Sequence, residues 1–470
     1  MKYYNNINFI SNYRIYKMTT VVSDNFIYER IPNATDGYSF RTKLNSEATS
    51  YELGETCRIP IPPVAHGFIN TSNTFINVTM ECVVDGTVLA GADSTGAGNL
   101  VHSWIGINAA WDRIDFIGPN GQSINMQQNQ QAIFATNLLA NSDYSAAFPN
   151  SITNKTAIAQ SRGGTQALEG NPVEGSANAA KTKFTSTKNH YSPTLQGLLS
   201  GAKSIPLTWF DSDCYLELYI TPDIKNMLYN GDALGTITGI GQATFTVDLD
   251  CQIDVVTDNS LREIQQHAGF GSDSPVSWSD INQRASLHSI SAAELNSTSE
   301  FLKTNVINGV RPRKLLNVIQ TAFQRNATGH HDRWSCVNPY ESWYLRLGTQ
   351  NYPPRPMNTD AEMTAHLLEC YNQNSYSTNG NRLSGGQYSG RFPTSTDAVY
   401  DVKRGAVGFD FTQYDNSADG VDATALILES LGNIKLDSTQ TSASAYEVYT
   451  IRTFGVLYSV DNSGNFSISY

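Results

Sequence analysis

The sequence predicts an all-β protein made of two related β-sandwiches in tandem, with short helices and long polar loops. Three observations carry that prediction. Residues 243 to 255 alternate apolar and polar side chains without a break, putting Phe245, Val247, Leu249, Cys251, Ile253 and Val255 on one face. At about 3.4 Å per residue such a strand spans roughly 40 Å, which suits a tall sandwich with its strands side by side. Charged residues are 16% of the 470, below the roughly 25% of ordinary soluble proteins, and Asn, Ser, Thr, Gly and Tyr are abundant, a mix that favours strands and turns. Finally, the halves repeat one order of events. Ser103-Trp104 opens a strand that leads through a Gly/Pro turn to a helical stretch, a long polar loop, several strands and the long strand at 243 to 255. Ser342-Trp343 leads likewise through a Pro-rich corner to a helix, a polar loop, strands and a terminal strand at 445 to 460.

Taken in order, residues 1 to 50 show no sustained period, and their Tyr, Asn and Ser content reads as an arm that orders against something else. Lys2, Arg14 and Lys17 make its start mildly basic, and Met18 is a second candidate start, which leaves the role of residues 1 to 17 open. The first sandwich is expected over 51 to 256. Arg58-Ile-Pro-Ile-Pro reads as an edge-type strand, since proline cannot donate to a ladder on both sides. Thr74 to Val83 alternates, with Ile76, Val78, Met80 and Cys82 on one face. Val101 to Ile117 gives one or two strands with Trp104 and Trp111 as core candidates, and Gly118-Pro-Asn-Gly121 is a turn. Ser123 to Leu139 lacks Gly and Pro and places Ala132, Ala135 and Leu139 at helical spacing, which predicts a helix. Residues 141 to 190 form a long polar loop, and strands return at Ser204 to Phe210 and Cys214 to Ile220.

Residues 257 to 312 are expected to connect the two halves, with a helix over Asn259 to His267 opened by the capping box Ser260-x-x-Glu263 and another candidate box at Ser291-x-x-Glu294. The second sandwich is expected over 313 to 470. Arg313 to Gln324 fits a helix or a buried strand. Trp343, Leu345 and Leu347 alternate with Tyr344 and Arg346 as a strand, Gly348 ends it, and Tyr352-Pro-Pro-Arg-Pro356 is stiff and extended because proline fixes φ and restricts its predecessor. Thr359-Asp-Ala-Glu has the capping-box form and starts a helix. A second polar loop at 372 to 398 precedes strands at 409 to 411, 425 to 435 and 445 to 460.

A net charge of −12 argues against a surface that is basic throughout, as a general nucleic-acid or anionic-membrane binder needs, and leaves room for a local basic patch. No apolar run approaches the roughly 18 residues of a membrane helix, and the N-terminus lacks a signal peptide's apolar core, so synthesis in cytoplasm or nucleus is expected. The six cysteines, Cys57, Cys82, Cys214, Cys251, Cys336 and Cys370, form no C-x-x-C pair and read as buried thiols.

Motifs for chemistry are sparse. His330-His331-Asp332 with Cys336 nearby resembles a metal site, but adjacent histidines project differently and no pair sits at H-x-x-x-H spacing, so a surface loop is the reading and no metal or cofactor is assigned. Walker, H-E-x-x-H and G-x-S-x-G motifs are absent, and no catalytic residue is nominated, although a dispersed carboxylate pair of the glycosidase kind leaves no trace in sequence. Arg311, Arg313, Lys314 and Arg325 form the densest basic run, read as a solvated or subunit-contact face with an inner surface touching DNA phosphates as the alternative. Trp104, Trp343 and the tyrosines are read as core or interface in preference to a sugar-binding groove.

Cys57-Arg-Ile-Pro-Ile-Pro followed by Gly67-Phe-Ile-Asn-Thr-Ser-Asn-Thr-Phe-Ile-Asn-Val, then Gly197-Leu-Leu-Ser-Gly-Ala-Lys-Ser-Ile-Pro-Leu, and above all Tyr344-Leu-Arg-Leu-Gly-Thr-Gln-Asn-Tyr-Pro-Pro-Arg-Pro carry a resemblance. From about Tyr51 to the C-terminus the chain resembles the double jelly-roll major capsid proteins of eukaryotic double-stranded DNA viruses, the adintovirus, Polinton-like virus and virophage group. The resemblance implies two tandem jelly rolls and homotrimers that form pseudo-hexagonal capsomers tiling an icosahedral virion. It also implies contacts with neighbouring capsomers and minor capsid or penton proteins, and no catalysis, while an inner-face contact with packaged DNA is the expectation that the basic run at 311 to 325 adds. The alternative function is a β-sandwich glycan-binding or attachment protein.

Overall fold

Two long strands, Ile240–Val256 and Tyr446–Val460, are the spines of two separate sheets, and most other strands pair with those sheets or with the sheet opposite, while Leu100–His102 with Leu228–Asn230 and Ser389–Phe392 with Tyr400–Lys403 form small two-stranded sheets of their own. The computed structural model describes residues 37–84, 100–102, 106–133, 183–185, 190–192, 204–223, 226–230, 240–267, 276–291, 294, 302–307, 312, 314–321, 340–370, 389–392, 400–403, 406–411, 420–434, 446–461 and 466–469. The first half runs β1 (Gly37–Asn45), β2 (Tyr51–Glu52), β3 (Thr56–Ile61), β4 (Gly67–Asn70), β5 (Phe75–Val84), β6 (Leu100–His102), β7 (Trp111–Ile117) and β8 (Ser123–Gln128). It continues through β9 (Lys183–Thr185), β10 (His190–Ser192), β11 (Ser204–Pro206), β12 (Cys214–Ile220), β13 (Leu228–Asn230) and β14 (Ile240–Val256) to helix α1 (Asp258–His267). The second half has β15 (Val276–Ile290), β16 (Leu302–Ile307), β17 (Lys314–Thr321), β18 (Tyr340–Leu347) and β19 (Gln350–Met357), then helix α2 (Asp360–Cys370). It closes with β20 (Ser389–Phe392), β21 (Tyr400–Lys403), β22 (Val407–Asp410), β23 (Leu428–Ile434), β24 (Tyr446–Val460) and β25 (Phe466–Ser469).

Each half folds into two antiparallel sheets with the same wiring. In the second, one sheet is ordered β15-β24-β17-β22 and the other β16-β23-β18-β19. In the first, β14 lies between β1 with β2 on one side and β4 with β5 on the other, followed outward by β9, β10 and β11, while the second sheet is β3-β12-β7-β8. Numbering eight strand positions along each half, the sheets read 1-8-3-6 and 2-7-4-5 both times. First and last strands lie side by side, and no hairpin ladder alone would give that order.

Strict alternation settles which side each strand buries. On β14, Phe245, Val247, Leu249, Cys251 and Ile253 face the core, and at the end of the strand Val256, not Val255, is buried. On β12, Cys214, Leu216, Leu218 and Ile220 do the same against Trp111, Ile114 and Phe116. Gly118 to Gly121 is the expected turn, with the Gly121 N–H donating to the Gly118 carbonyl over 2.9 Å and Gly121 at φ +75. The proline-rich corner is itself the strand β19, hairpinned to β18 through Gly348 at φ +58, with a cis peptide at Tyr352-Pro353. α2 starts where its box predicts: Thr359 Oγ1 accepts from the Glu362 N–H at 3.2 Å, and the Glu362 carboxylate accepts from the Asn358 N–H. The Ser291–Glu294 box also forms, at 2.7 Å from the Ser291 N–H to Glu294.

Four expectations are corrected. Ser123–Gln128 is a strand and not the start of a helix, because it pairs along β7 from Arg113 to Ile117; helix begins at Gln130, after Asn129 at φ +53, and the expected helix's residues 134 to 139 lie outside the described residues. α1 is capped by Thr257, whose carbonyl takes the Leu261 N–H at 2.8 Å, three residues ahead of the expected Ser260. Residues 37 to 45, assigned to an arm, form β1 and pair along the C-terminal half of β14 from Asp248 to Val256. Residues 257 to 312, read as a connection, supply β15 and β16, the first two strand positions of the second sandwich.

Candidate assembly surfaces

The outward face of the 2-7-4-5 sheet carries the same device in both halves. In the first, Glu217 on β12 stands in register with Arg58 on β3 and Asp115 on β7. Arg58 pairs with Glu217 at 3.4 Å and lies over the Tyr215 ring at 3.7 Å, while Arg113 bonds Asp115 and lies over Tyr219 at 4.6 Å. In the second, Glu429 on β23 accepts from Lys303 on β16 and, at 3.0 Å, from Arg346 Nε on β18. These two cations hold the Glu429 carboxyl below the usual glutamate range. Asp115 shifts the other way, because its burial outweighs the help from Arg113. Exposed pairs of this kind contribute only about 0–1 kcal/mol each, so their value lies in fixing strand register and in presenting a polar face.

The other sheet of the first half carries a row of acids on its central strand. Asp248, Asp250 and Asp254 alternate along the outward side of β14, and β1 answers them with Lys43 at 2.8 Å, Arg41 at 3.3 Å and the Ser39 hydroxyl at 2.6 Å. Asn77 and Asn70 donate from the opposite flank to Asp248 and Asp254, each at 3.1 Å. β1 is otherwise exposed, and Tyr38 and Phe40 stack 6.2 Å apart at its start. A second exposed apolar pair, Leu426 and Ile427, sits just before β23, where Leu426 lies against Gly348 at the tip of the β18–β19 hairpin. Exposed apolar groups beside paired charges are what an association surface requires.

The sequence-nominated groups distribute as follows. Trp111 and Trp343 are fully buried, so they pack the core and line no groove. Lys314 opens β17, in register with Asp410 and Thr453. Arg311, Arg313, Arg325, His330, His331, Asp332, Cys336 and Trp104 lie outside the described residues, as do the polar loops apart from β9, β10 and β20. Cys57, Cys214, Cys251 and Cys370 are buried and in no disulfide; burial pushes the first three thiols up to about 12, about 12 and about 11. The closest match to a carboxylate pair, Asp115 with Glu217, has an arginine on each member, which makes an ion ladder and not an acid facing a nucleophile. The two glutamates at the centres of the rows escaped the sequence reading, although Leu216-Glu217-Leu218 and Leu428-Glu429-Ser430 show lone acids on outward strand positions.

No protein-family model matches the sequence, and no curated protein matches it. Solved structures do. The mavirus major capsid protein superposes with a TM-score of 0.54 at 10% identity, over 91% of this chain and 90% of that one. A chain of the Sputnik virophage particle gives 0.54 at 11% identity, over 93% and 89%, and one of the PBCV-1 virus capsid gives 0.51 at 11%, over 92% and 97%. The fold is the double jelly roll. The likeness covers both halves of the double jelly roll, so the duplication seen in the strand order is shared with these proteins. Among the described residues no helix is long and apolar enough to cross a membrane.

Proposed function

We propose that this double jelly-roll chain is the major capsid protein of a double-stranded DNA virus and works by self-association, without catalysis. The observation that carries the reading is the pair of 1-8-3-6 and 2-7-4-5 sandwiches in one chain, matched over 91% of its length by the mavirus major capsid protein. Two sandwiches per chain give a trimer six similar units, enough to fill a hexagonal tile, and closed rotational symmetry is the ordinary solution for a repeated part. The exposed Leu426, Ile427, Tyr38 and Phe40 supply apolar contact, and the charge rows supply register between neighbours. The partners are other copies of the chain, neighbouring capsomers and minor proteins at the vertices. A DNA-facing inner surface built on Arg311, Arg313, Lys314 and Arg325 belongs to the same proposal. The protein's site of action is the virion, and its synthesis is in host cytoplasm or nucleus.

The test is the mass of the purified chain by light scattering, with negative-stain images of the same sample. A particle of three times 51.6 kDa with a hexagonal outline, or closed shells, is the expected result. A monomer that stays monomeric across salt and pH overturns it and favours the glycan-binding alternative.

A further inference from the structure

The inner face of β15 is unusually polar for a sandwich interior. Residues opposite one another in an antiparallel pair share a face. The register sets Asn282 against Phe454, Arg284 against Arg452, Ser286 against Thr450 and His288 against Val448. The line continues through position 315 of β17 to Phe409 of β22, in step with Arg452. This is the core side, since Val448, Phe409 and Trp343 belong to one buried apolar cluster. Further along the same face of β24, Phe454, Val456, Tyr458 and Val460 belong to the other. Arg452 falls in the gap between the two clusters.

A guanidinium keeps its proton inside a protein, so an arginine at such a place needs an acceptor. Among the described residues Arg452 makes no hydrogen bond or ion pair, and its Nε is buried. The group facing it is another cation, Arg284, whose guanidinium lies over the Phe454 ring at 5.5 Å. Burial first, and Arg284 second, press the Arg452 pKa down. Two residues from Arg284 along β15, Asn282 is fully buried and neither atom of its amide has a partner. A buried guanidinium nitrogen without an acceptor and a buried amide left without partners are both unfavourable; one negatively charged acceptor serves both.

We propose that the face formed by Asn282, Arg284 and Arg452 binds a small oxyanion of the phosphate class, held between the two guanidinium groups and the Asn282 amide. Two fixed positive charges match a doubly charged tetrahedral anion, and guanidinium forks match its oxygen edges. Arg284 and Arg452 are both partly exposed, so the site opens to solvent. Bound anion would tie β15 to β24 at the point where the apolar lining is interrupted.

The experiment is titration of the full chain with inorganic phosphate, by calorimetry and by thermal unfolding, against chloride at the same ionic strength and pH. The wild-type chain should show a saturable rise in Tm with phosphate and none with chloride. Arg452→Met, which keeps the volume and removes the charge, should weaken phosphate binding about tenfold or more, as expected for loss of a charge-assisted forked pair. Asn282→Leu should weaken it while leaving the charge unchanged. Absence of a saturable phosphate effect in the wild-type chain overturns the proposal without recourse to any variant. An effect of equal size in Arg452→Met overturns it as well.

Discussion

The indole of Trp343 is the sharpest test of how the second sandwich is held together. It is fully buried, and its Nε1 donates to the Ser430 hydroxyl across β18 and β23 at 2.9 Å, an indole N–H having no other donor or acceptor to offer. Ser430→Ala leaves that N–H in the core with no acceptor, which costs about 1–3 kcal/mol, against a net value of about 1 kcal/mol for the bond itself. Trp343→Phe keeps most of the apolar bulk but removes the donor and leaves a small cavity, so it is destabilising in its own right. Once the donor has gone, Ser430→Ala should add little from this bond. The double-mutant cycle should therefore show a coupling of about 1 kcal/mol, with the second substitution milder than it is alone. For a unit of 150–250 residues, 1 kcal/mol moves Tm by about 2–4 °C, which is measurable. Denaturant unfolding at one fixed protein concentration is the assay, since association adds a concentration-dependent contribution. Strict additivity, within about 0.3 kcal/mol, would refute the assignment of this bond as a tie between the two strands.

Three further outcomes follow from the same geometry. Gly432→Ala would place a Cβ 2.1 Å from Cε1 of the buried Tyr340, so the ring must move; overpacking of about 1–3 kcal/mol should exceed the roughly 0.4–1 kcal/mol gained from a stiffer unfolded chain, and Tyr340→Leu should relieve it in a thermal unfolding series. Glu429 has its folded pKa lowered by Lys303 and Arg346, so its stabilising contribution is present above the ordinary glutamate value of 4.5 and is lost as pH falls through the folded value. In Glu429→Gln that part of the acid-side decline should be missing from a pH series of unfolding midpoints. Cys57, Cys214 and Cys251, with thiols raised to about 12, about 12 and about 11, should resist a thiol reagent at pH 8 in the native protein and react at once in denaturant; fast native labelling would contradict their burial.

What could be read in the sequence was whatever hydrophobic alternation could express. β14, β12 and β18 bury one apolar row each, and their period of two is visible without any structure. β1 was invisible for the opposite reason, since almost all of its side chains are exposed and it is held by backbone pairing and polar side-chain bonds to β14, which leave no buried apolar row to detect. β8 is rich in Gln and free of β-branched residues apart from Ile124, so its composition favours a helix until β7 claims its backbone. β15 hid because its inward positions are Asn282, Arg284, Ser286 and His288. A strand whose core-facing side is polar has no hydrophobic period to detect, and the irregularity that concealed this edge strand is the one that creates the proposed anion site.

The two halves also show how little identity the fold demands. At the seventh strand position, Cys-Tyr-Leu-Glu-Leu-Tyr-Ile on β12 and Leu-Glu-Ser-Leu-Gly-Asn-Ile on β23 have hardly a residue in common in register, yet each carries an outward glutamate bonded to a cation on the second strand position, Arg58 in one case and Lys303 in the other. What recurs is a set of requirements: apolar groups toward the opposite sheet, an acid able to reach both neighbouring strands, and a basic group beside it. Many sequences satisfy those requirements, so substitutions can accumulate while the strand order stays fixed. Overlap of about nine-tenths of the chain with the mavirus protein at 10% identity is the same economy seen between proteins in place of within one. The wiring 1-8-3-6 and 2-7-4-5 fixes which strands must be complementary, and the chain is free nearly everywhere else.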